Sequence, residues 1–543
     1  MDALIAASLA VPLALAALLG FSASRTLALR LAPWAPLPAL ALALVVREPG
    51  AIDLSWLLTG VRLGLDETGR VFLLFSALIW LAAGWFGRAW LAGEAHRTRF
   101  ALFFLLTQAG NLGVCLALDP VGFYFFYALM GFAAYGLVVH DGSAAARRTG
   151  RVYLTLAVVG EMLILTGLLL AIGLAPDHPF AVACLILGFG AKTGLPLLHV
   201  SLPLAYAAAP IPAAAALAGA MIKSGVLGWM RFLPLGEAAL PDTGNALILA
   251  GLVAIFYGAA VGLTQRQLGA LLAYSSISQM GYFAVVIGAA LVAPALWPLL
   301  LPILLIYATQ HALAKSALFL GLGVARRRGP TAWVLAGLAL PALALAGAPL
   351  SSSMLAKLGI KQALAGMPAP WLAALPSLPT LLVLGALGTA LLMLRLLWLV
   401  RRAPAQADAA PAPLLPWLLT LAGVIGLGAV LVPVALLKQG LQPGALLAAS
   451  WPILAALALA FAAVRLRLRV QPIPPGDLLQ PLERLFAALL RPFGQLSMPK
   501  PPVLPARAPR HPPGLEARLR AWPLAGLLWL LLLGGLLVLL AVY

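Results

Sequence analysis

From end to end the chain returns to apolar runs of about 20 residues, each long enough to cross a bilayer as a helix. About sixteen such runs fit into its 543 residues. With 63% hydrophobic and only 9% charged residues, no soluble surface can be assembled. In lipid, backbone polar groups must be satisfied within the spanning structure, which helices do unaided. The expected fold class is therefore an all-α polytopic membrane protein of about 16 transmembrane helices. The first run, Leu4 to Leu19, has no basic stretch before it and reads as a retained span, not a cleaved signal. Cys115 and Cys184 both fall in apolar runs and offer no disulfide, zinc or iron–sulfur pattern. With no CxxC and no Gly-rich loop after a strand, no cofactor, no metal and no active site of its own is expected.

A net charge of +19 raises the question of nucleic acid, but its distribution answers otherwise. Arg25 and Arg30, Arg88 with Arg97 and Arg99, Arg147 with Arg148 and Arg151, Arg266, Arg326 to Arg328, and Arg401 with Arg402 occupy alternate loops. The intervening loops are neutral or carry acids: Asp53, Asp66 and Glu67; Asp119; Asp177; Glu237 and Asp242. This is the positive-inside pattern. It puts both termini on the outer face and makes the basic, Pro-rich segment 471–520 cytoplasmic. Within that segment, Leu478 to Phe493 reads as an amphipathic helix at the interface or against a neighbouring subunit.

The lysines do not follow the arginines. Of seven, Lys192, Lys223, Lys315 and Lys357 lie inside strongly apolar stretches. Lysine can shed its proton when buried, whereas arginine effectively cannot. An ionisable group inside a membrane span marks a functional site by default. Two of the four lie in stretches too long and too interrupted to be plain helices. In 179–206, Pro196 cannot donate to the carbonyl of Lys192; in 331–366, Pro341, Gly347 and Pro349 precede Lys357. Paired interrupted helices of this kind are the sequence mark of inverted-repeat transporters. His199 would share a face with Lys192 if the helix continued, and His311 with Lys315 at i, i+4 does so. Tyr274, Ser275, Ser276, Ser278 and Gln279, with Thr309, Gln310 and Ser316, add hydroxyls and amides able to order water between titratable groups. Glu161 is the one acid deep in an expected span and the candidate partner of Lys192. Desolvation disfavours an ammonium and a nearby carboxylate restores it, so such a row can pass protons along.

Four ordered motifs carry a resemblance. GFGAKTGLPLLHVSLPLAYAAAPIPAAAALAGAMIKSGVLGWMR (188–231), LLAYSSISQMGY (271–282), HALAKSALFLGLG (311–323) and GAPLSSSMLAK (347–357) are similar to signatures of the antiporter-like subunits of respiratory complex I, Mrp cation/proton antiporters and membrane-bound hydrogenases. The resemblance implies a 14-helix core with two inverted five-helix repeats, each with a broken helix, in a bacterial inner membrane. It divides the chain into N-terminal helices 1–99, a first repeat 100–234, a second repeat 245–400, further helices 401–470, the cytoplasmic segment 471–520 and a last span 521–543. It also implies proton translocation along Glu161, Lys192, His199, Lys223, His311, Lys315 and Lys357, within a multisubunit energy-converting complex of the NADH-quinone oxidoreductase or hydrogenase kind. Any redox chemistry would belong to partner subunits.

Three departures bear on this. The family's Glu in a motif like F-W-E-L-M falls at Ala128 in FFYALM, and Glu161 matches a position acidic in some members. Ser201 and Gly269 replace a Trp and a Lys of the family pattern. Two other functions follow from the same module: the membrane proton-channel partner of an inorganic-carbon uptake complex with a zinc-containing cytoplasmic subunit, or a non-conducting scaffold.

Overall fold

Apolar runs become helices here, and the two interrupted runs become pairs of half-helices. The computed structural model describes residues 1–46, 50–55, 57, 60–367, 376–404, 412–468, 471–479, 481 and 484. The expected last span, 521–543, and nearly all of the expected amphipathic helix 478–493 lie outside them.

The first part of the chain holds α1 (Asp2–Leu18), α2 (Ser22–Leu31), α3 (Leu37–Val45), α4 (Glu67–Trp90), α5 (Arg97–Leu116), α6 (Pro120–Val138) and α7 (Ala144–Gly173). Then come the half-helices α8 (Pro179–Thr193) and α9 (Ser201–Ala208), followed by α10 (Ile211–Ala216), a π-helical turn (Leu217–Met221) and α11 (Lys223–Phe232). The second part holds α12 (Pro241–Thr264), α13 (Leu268–Val292), α14 (Trp297–Arg328), the half-helices α15 (Ala332–Ala346) and α16 (Ser352–Leu364), and α17 (Leu378–Arg402). α18 (Leu415–Leu431), α19 (Val434–Gly440) and α20 (Pro443–Arg465) follow. Among the described residues eleven helices are long and apolar enough to span a membrane, and α8 and α15 are shorter apolar helices because each is half of a span.

Loops sort onto two faces. On one, Arg231 Nη2 lies 2.9 Å from Asp66, and a second guanidinium nitrogen donates to the Ala117 carbonyl. On the other, His140 Nε2 lies 3.2 Å from Glu94, Arg99 donates to the His140 carbonyl and Arg327 to the Trp90 carbonyl. We call these the acidic and basic faces. Asp66, Asp119, Ser143 and Ser351 cap α4, α6, α7 and α16 with their side-chain oxygens, satisfying amides that lipid could not. An antiparallel hairpin, β1 (Gly50–Leu54) with β2 (Val61–Leu65), sits on the acidic face and was not expected from sequence. It is held by a bridge from Leu63 to Ala117 and by Asp119, which accepts from the Arg62 amide at 2.7 Å.

Close backbone contact holds the centre together. A methyl group on Gly244 or Gly251 of α12 would lie 2.6 Å from the carbonyl of Gly288 or Gly281 on α13. Small residues at such positions let helices approach where lipid provides no hydrophobic drive.

The two breaks use one turn. α8 ends at Gly194 (φ +82°), and the chain passes Pro196 and Leu197 (φ 71°) before α9. α15 ends at Gly347 (φ +86°) and passes Pro349 and Leu350 (φ 68°) before α16. Gly-x-Pro-Leu thus occurs at both breaks, and the broken spans run in opposite directions, α8 leaving the acidic face and α15 the basic one. Glycine takes the left-handed conformation freely, but a leucine there costs about 1–2 kcal/mol. Leu350→Gly is therefore expected to raise stability by about 1 kcal/mol and Gly347→Ala to lower it by a similar amount. Thermal unfolding of the purified protein in detergent checks both signs; equal melting temperatures would show the turn to be unstrained.

Candidate functional site

Lys192 lies in the last turn of α8, beside carbonyls that a broken helix leaves without intrahelical partners and at the negative end of its dipole. Its Nζ stands 4.9 Å from the centroid of the Tyr127 ring on α6, a cation–π distance. Glu161, 1% exposed, reaches the same spot from α7. A methyl on Gly131 would lie 2.4 Å from Glu161 Oε1 and 3.2 Å from Lys192 Nζ, so the absent side chain at 131 makes room for both groups. Their charges act on each other. Neither Glu161 oxygen has a hydrogen-bond partner among the described residues. With Tyr153, Ser201 and Tyr206, the pair lines a cavity of about 40 Å³, enough for water among polar groups.

The π-helical turn explains Lys223. Widening the helix over Leu217–Met221 shifts its hydrogen bonds and turns carbonyls outward. Lys223 Nζ donates to the Ala218 carbonyl at 2.8 Å, and Tyr206 donates to the Leu217 carbonyl at 3.3 Å. The same turn packs on α14, where a methyl on Gly219 would meet the Ala312 carbonyl at 3.1 Å and Ser316 Cβ at 3.2 Å. Lys315, one residue before Ser316, donates to the Leu272 carbonyl of α13 at 2.9 Å. His311 is fully buried one turn away, and the charges of Lys223, Lys315 and Lys357 all act on it. Both of its ring nitrogens lack hydrogen-bond partners among the described residues.

Lys357 repeats the pattern at the second break. Its Nζ donates at 2.9 Å to the Leu345 carbonyl, near the end of α15, and lies 5.3 Å from the Tyr282 ring centroid. It lines another cavity of about 40 Å³ with Tyr282, Gly347 and Lys361. A belt of hydrogen bonds lies across the neighbouring helices: Tyr307 donates to Gln279 Oε1 at 2.5 Å, and Gln279 Nε2 donates to Thr389 at 2.8 Å.

Glu161 and Lys192 therefore meet, and Lys223, His311 and Lys315 gather around the packed π turn. His199 stands apart from Lys192. The helix stops at Gly194, so His199 leaves the lysine's face and packs against the rings of Tyr257 and Tyr274, at 5.1 and 6.2 Å between centroids. Sequence reading missed Tyr307 and Thr389, and also Asn111, which accepts from Trp80 Nε1 at 2.8 Å and donates to Ser224 at 3.0 Å. Their signal was only a polar group in an apolar run.

The fold and site define a polytopic helical membrane protein with interior amines at, and between, two helix breaks. Residues 117–383 match the family model described as NADH:quinone oxidoreductase/Mrp antiporter, transmembrane. The chain is 33% identical over 282 residues to NADH-quinone oxidoreductase subunit N of Desulforudis audaxviator, covering 48% of this chain and 55% of that protein. It is 26% identical over 288 residues to hydrogenase-4 component B of Escherichia coli, covering 48% of this chain and 43% of that protein. These alignments span about half the length of the curated relatives. The solved Mrp complex of Dietzia sp. has the same fold over 92% of this chain and 60% of its own, with a TM-score of 0.71 at 20% identity. Residues 117–383 thus belong with the antiporter-like membrane subunits of the complex I, Mrp and hydrogenase-4 family.

Gln279→Leu leaves Tyr307 and Thr389 without their shared partner. A loss of about 1–3 kcal/mol is expected, read as a lower unfolding temperature in detergent, because buried polar groups lose their bonds. An unchanged temperature would show that the belt carries no stability.

Proposed function

We propose that this chain conducts protons along a buried row running from Glu161 and Lys192 through Lys223, His311 and Lys315 to Lys357, as one membrane subunit of a complex-I-like energy-converting complex. The observation that carries the proposal is the bonding of the amines. Lys223, Lys315 and Lys357 each donate to a backbone carbonyl, and Lys192 faces an aromatic ring. A carbonyl accepts from an amine in either protonation state, so a proton can leave without breaking an ion pair. In this reading Glu161 supplies a switchable counter-charge beside the row and takes the role of the acid missing at Ala128.

The 14-helix core and the two inverted repeats, 100–234 and 245–400, belong to the same proposal. Two Gly-x-Pro-Leu breaks of opposite direction support them. A cytoplasmic basic face, a bacterial inner membrane and termini on the outer side are part of the same proposal, on the positive-inside rule. Partners are other membrane subunits, with redox or zinc chemistry in a cytoplasmic subunit. Co-purification after mild extraction separates the options: hydrogenase- or quinone-reductase-like subunits support the first reading, and one large zinc-binding soluble protein supports inorganic-carbon uptake.

The missing carboxylate at Ala128 favours one second reading, a scaffold that no longer conducts. Glu161→Gln and Lys192→Ala in the whole complex, reconstituted in vesicles with a pH-sensitive dye, decide between them. At least a tenfold fall in proton flux is expected in each; full flux in both makes the chain a scaffold. Lys357→Ala is expected to abolish coupling while the complex still assembles. Loss of the assembled complex would assign that lysine a structural role.

A further inference from the structure

After α20 the chain returns to the basic face, where Ile473, Gly476 and Asp477 touch the core. The segment is anchored to the end of α12: Gln265 Nε2 donates to the Ile473 carbonyl at 3.0 Å, and the Ile473 amide donates to Thr264 at 3.3 Å. Gly476 (φ +70°) is pressed on α9, where a methyl would meet Leu204 at 3.0 Å. This contact brings Asp477 to the first helix break. Tyr274 donates to its Oδ1 at 2.6 Å and Tyr257 donates to its Oδ2. His199 Nε2 faces Oδ1 at 3.6 Å, an ion-pair distance beyond ordinary hydrogen-bond length. The His199 side chain is 1% exposed and that of Asp477 10%.

We infer that Asp477 is the fixed counter-charge that lets the buried His199 hold a proton at the basic-face mouth of the path. The inference rests on the proton-conducting reading above and extends it to a segment beyond the matched family region, which ends at residue 383. The titratable groups facing the carboxylate are His199 from the α8–α9 turn, Tyr257 from α12 and Tyr274 from α13. Burial pushes the Asp477 carboxyl up, but the facing imidazole and the two tyrosyl hydroxyls more than reverse this and hold it below the ordinary carboxylate range. It therefore stays ionised at neutral pH. His199 gains and loses the proton while Asp477 keeps its charge throughout and acts as a positioning residue.

The test is the protonation midpoint of His199 in the full chain within its complex, read by deuterium exchange at the imidazole C2 with peptide mass spectrometry. Asp477→Asn is expected to lower the midpoint by about one pH unit, a tenfold loss of proton affinity. Asp477→Glu is expected to restore most of it. Tyr274→Phe keeps the carboxylate, removes a competing donor and is expected to raise the midpoint, which preserves the test if the Asn variant does not assemble. A midpoint unmoved by these substitutions overturns the inference even where vesicles still conduct. A midpoint that falls with Asp477→Asn, in vesicles where the wild type moves no protons, supports the pair and overturns the conducting reading instead.

Discussion

A helix broken inside a bilayer strands backbone carbonyls where no water competes for them, and this constraint organises the rest of the structure. Here lysine amines take them up. Lys357 binds the Leu345 carbonyl near the end of α15, and Lys223 binds the Ala218 carbonyl at the π turn. At these two irregularities the amine and the carbonyl each find a partner in the other. A buried amine without an acceptor is costly, and so is a buried carbonyl without a donor. Placed together, each meets the other's need, and neither requires a permanent ion pair.

The centre between the breaks is correspondingly stiff. α12 and α13 touch backbone to backbone through glycines, and the Tyr307–Gln279–Thr389 belt ties α13 to α14 and α17. Rigid helices keep the amines at fixed spacing, so the charge on one can act on the next. His311, on which Lys223, Lys315 and Lys357 all act when charged, is where this effect converges.

Much of this could be read from sequence. Apolar runs announced the spans, and Pro196 and Pro349 announced the breaks, because proline cannot donate within a helix. The four lysines stood out because little else charged lies in the runs. Other features left no local trace. The π turn over Leu217–Met221 is a small-residue stretch like many others, and the helix it packs on, α14, lies nearly a hundred residues further along the chain. The hairpin strands GAIDL and VRLGL are too short to distinguish from loop. The proximity of His199 to Asp477 joins residues nearly 280 positions apart, across an anchor made by Gln265 and Ile473. The His199 expectation depended on the helix continuing; Gly194, free to turn left-handed, ended it.

The Gly131 notch has a consequence of its own. Because no side chain fills it, an acid can approach Lys192 from a helix other than α6, and α7 supplies one in Glu161. The amine is fixed by the end of a half-helix, so its neighbour is free to change address. On the proton-conducting reading proposed above, moving the acid from α6 to α7 needs only one vacated site and one newly acquired carboxylate, with the backbone left as it was.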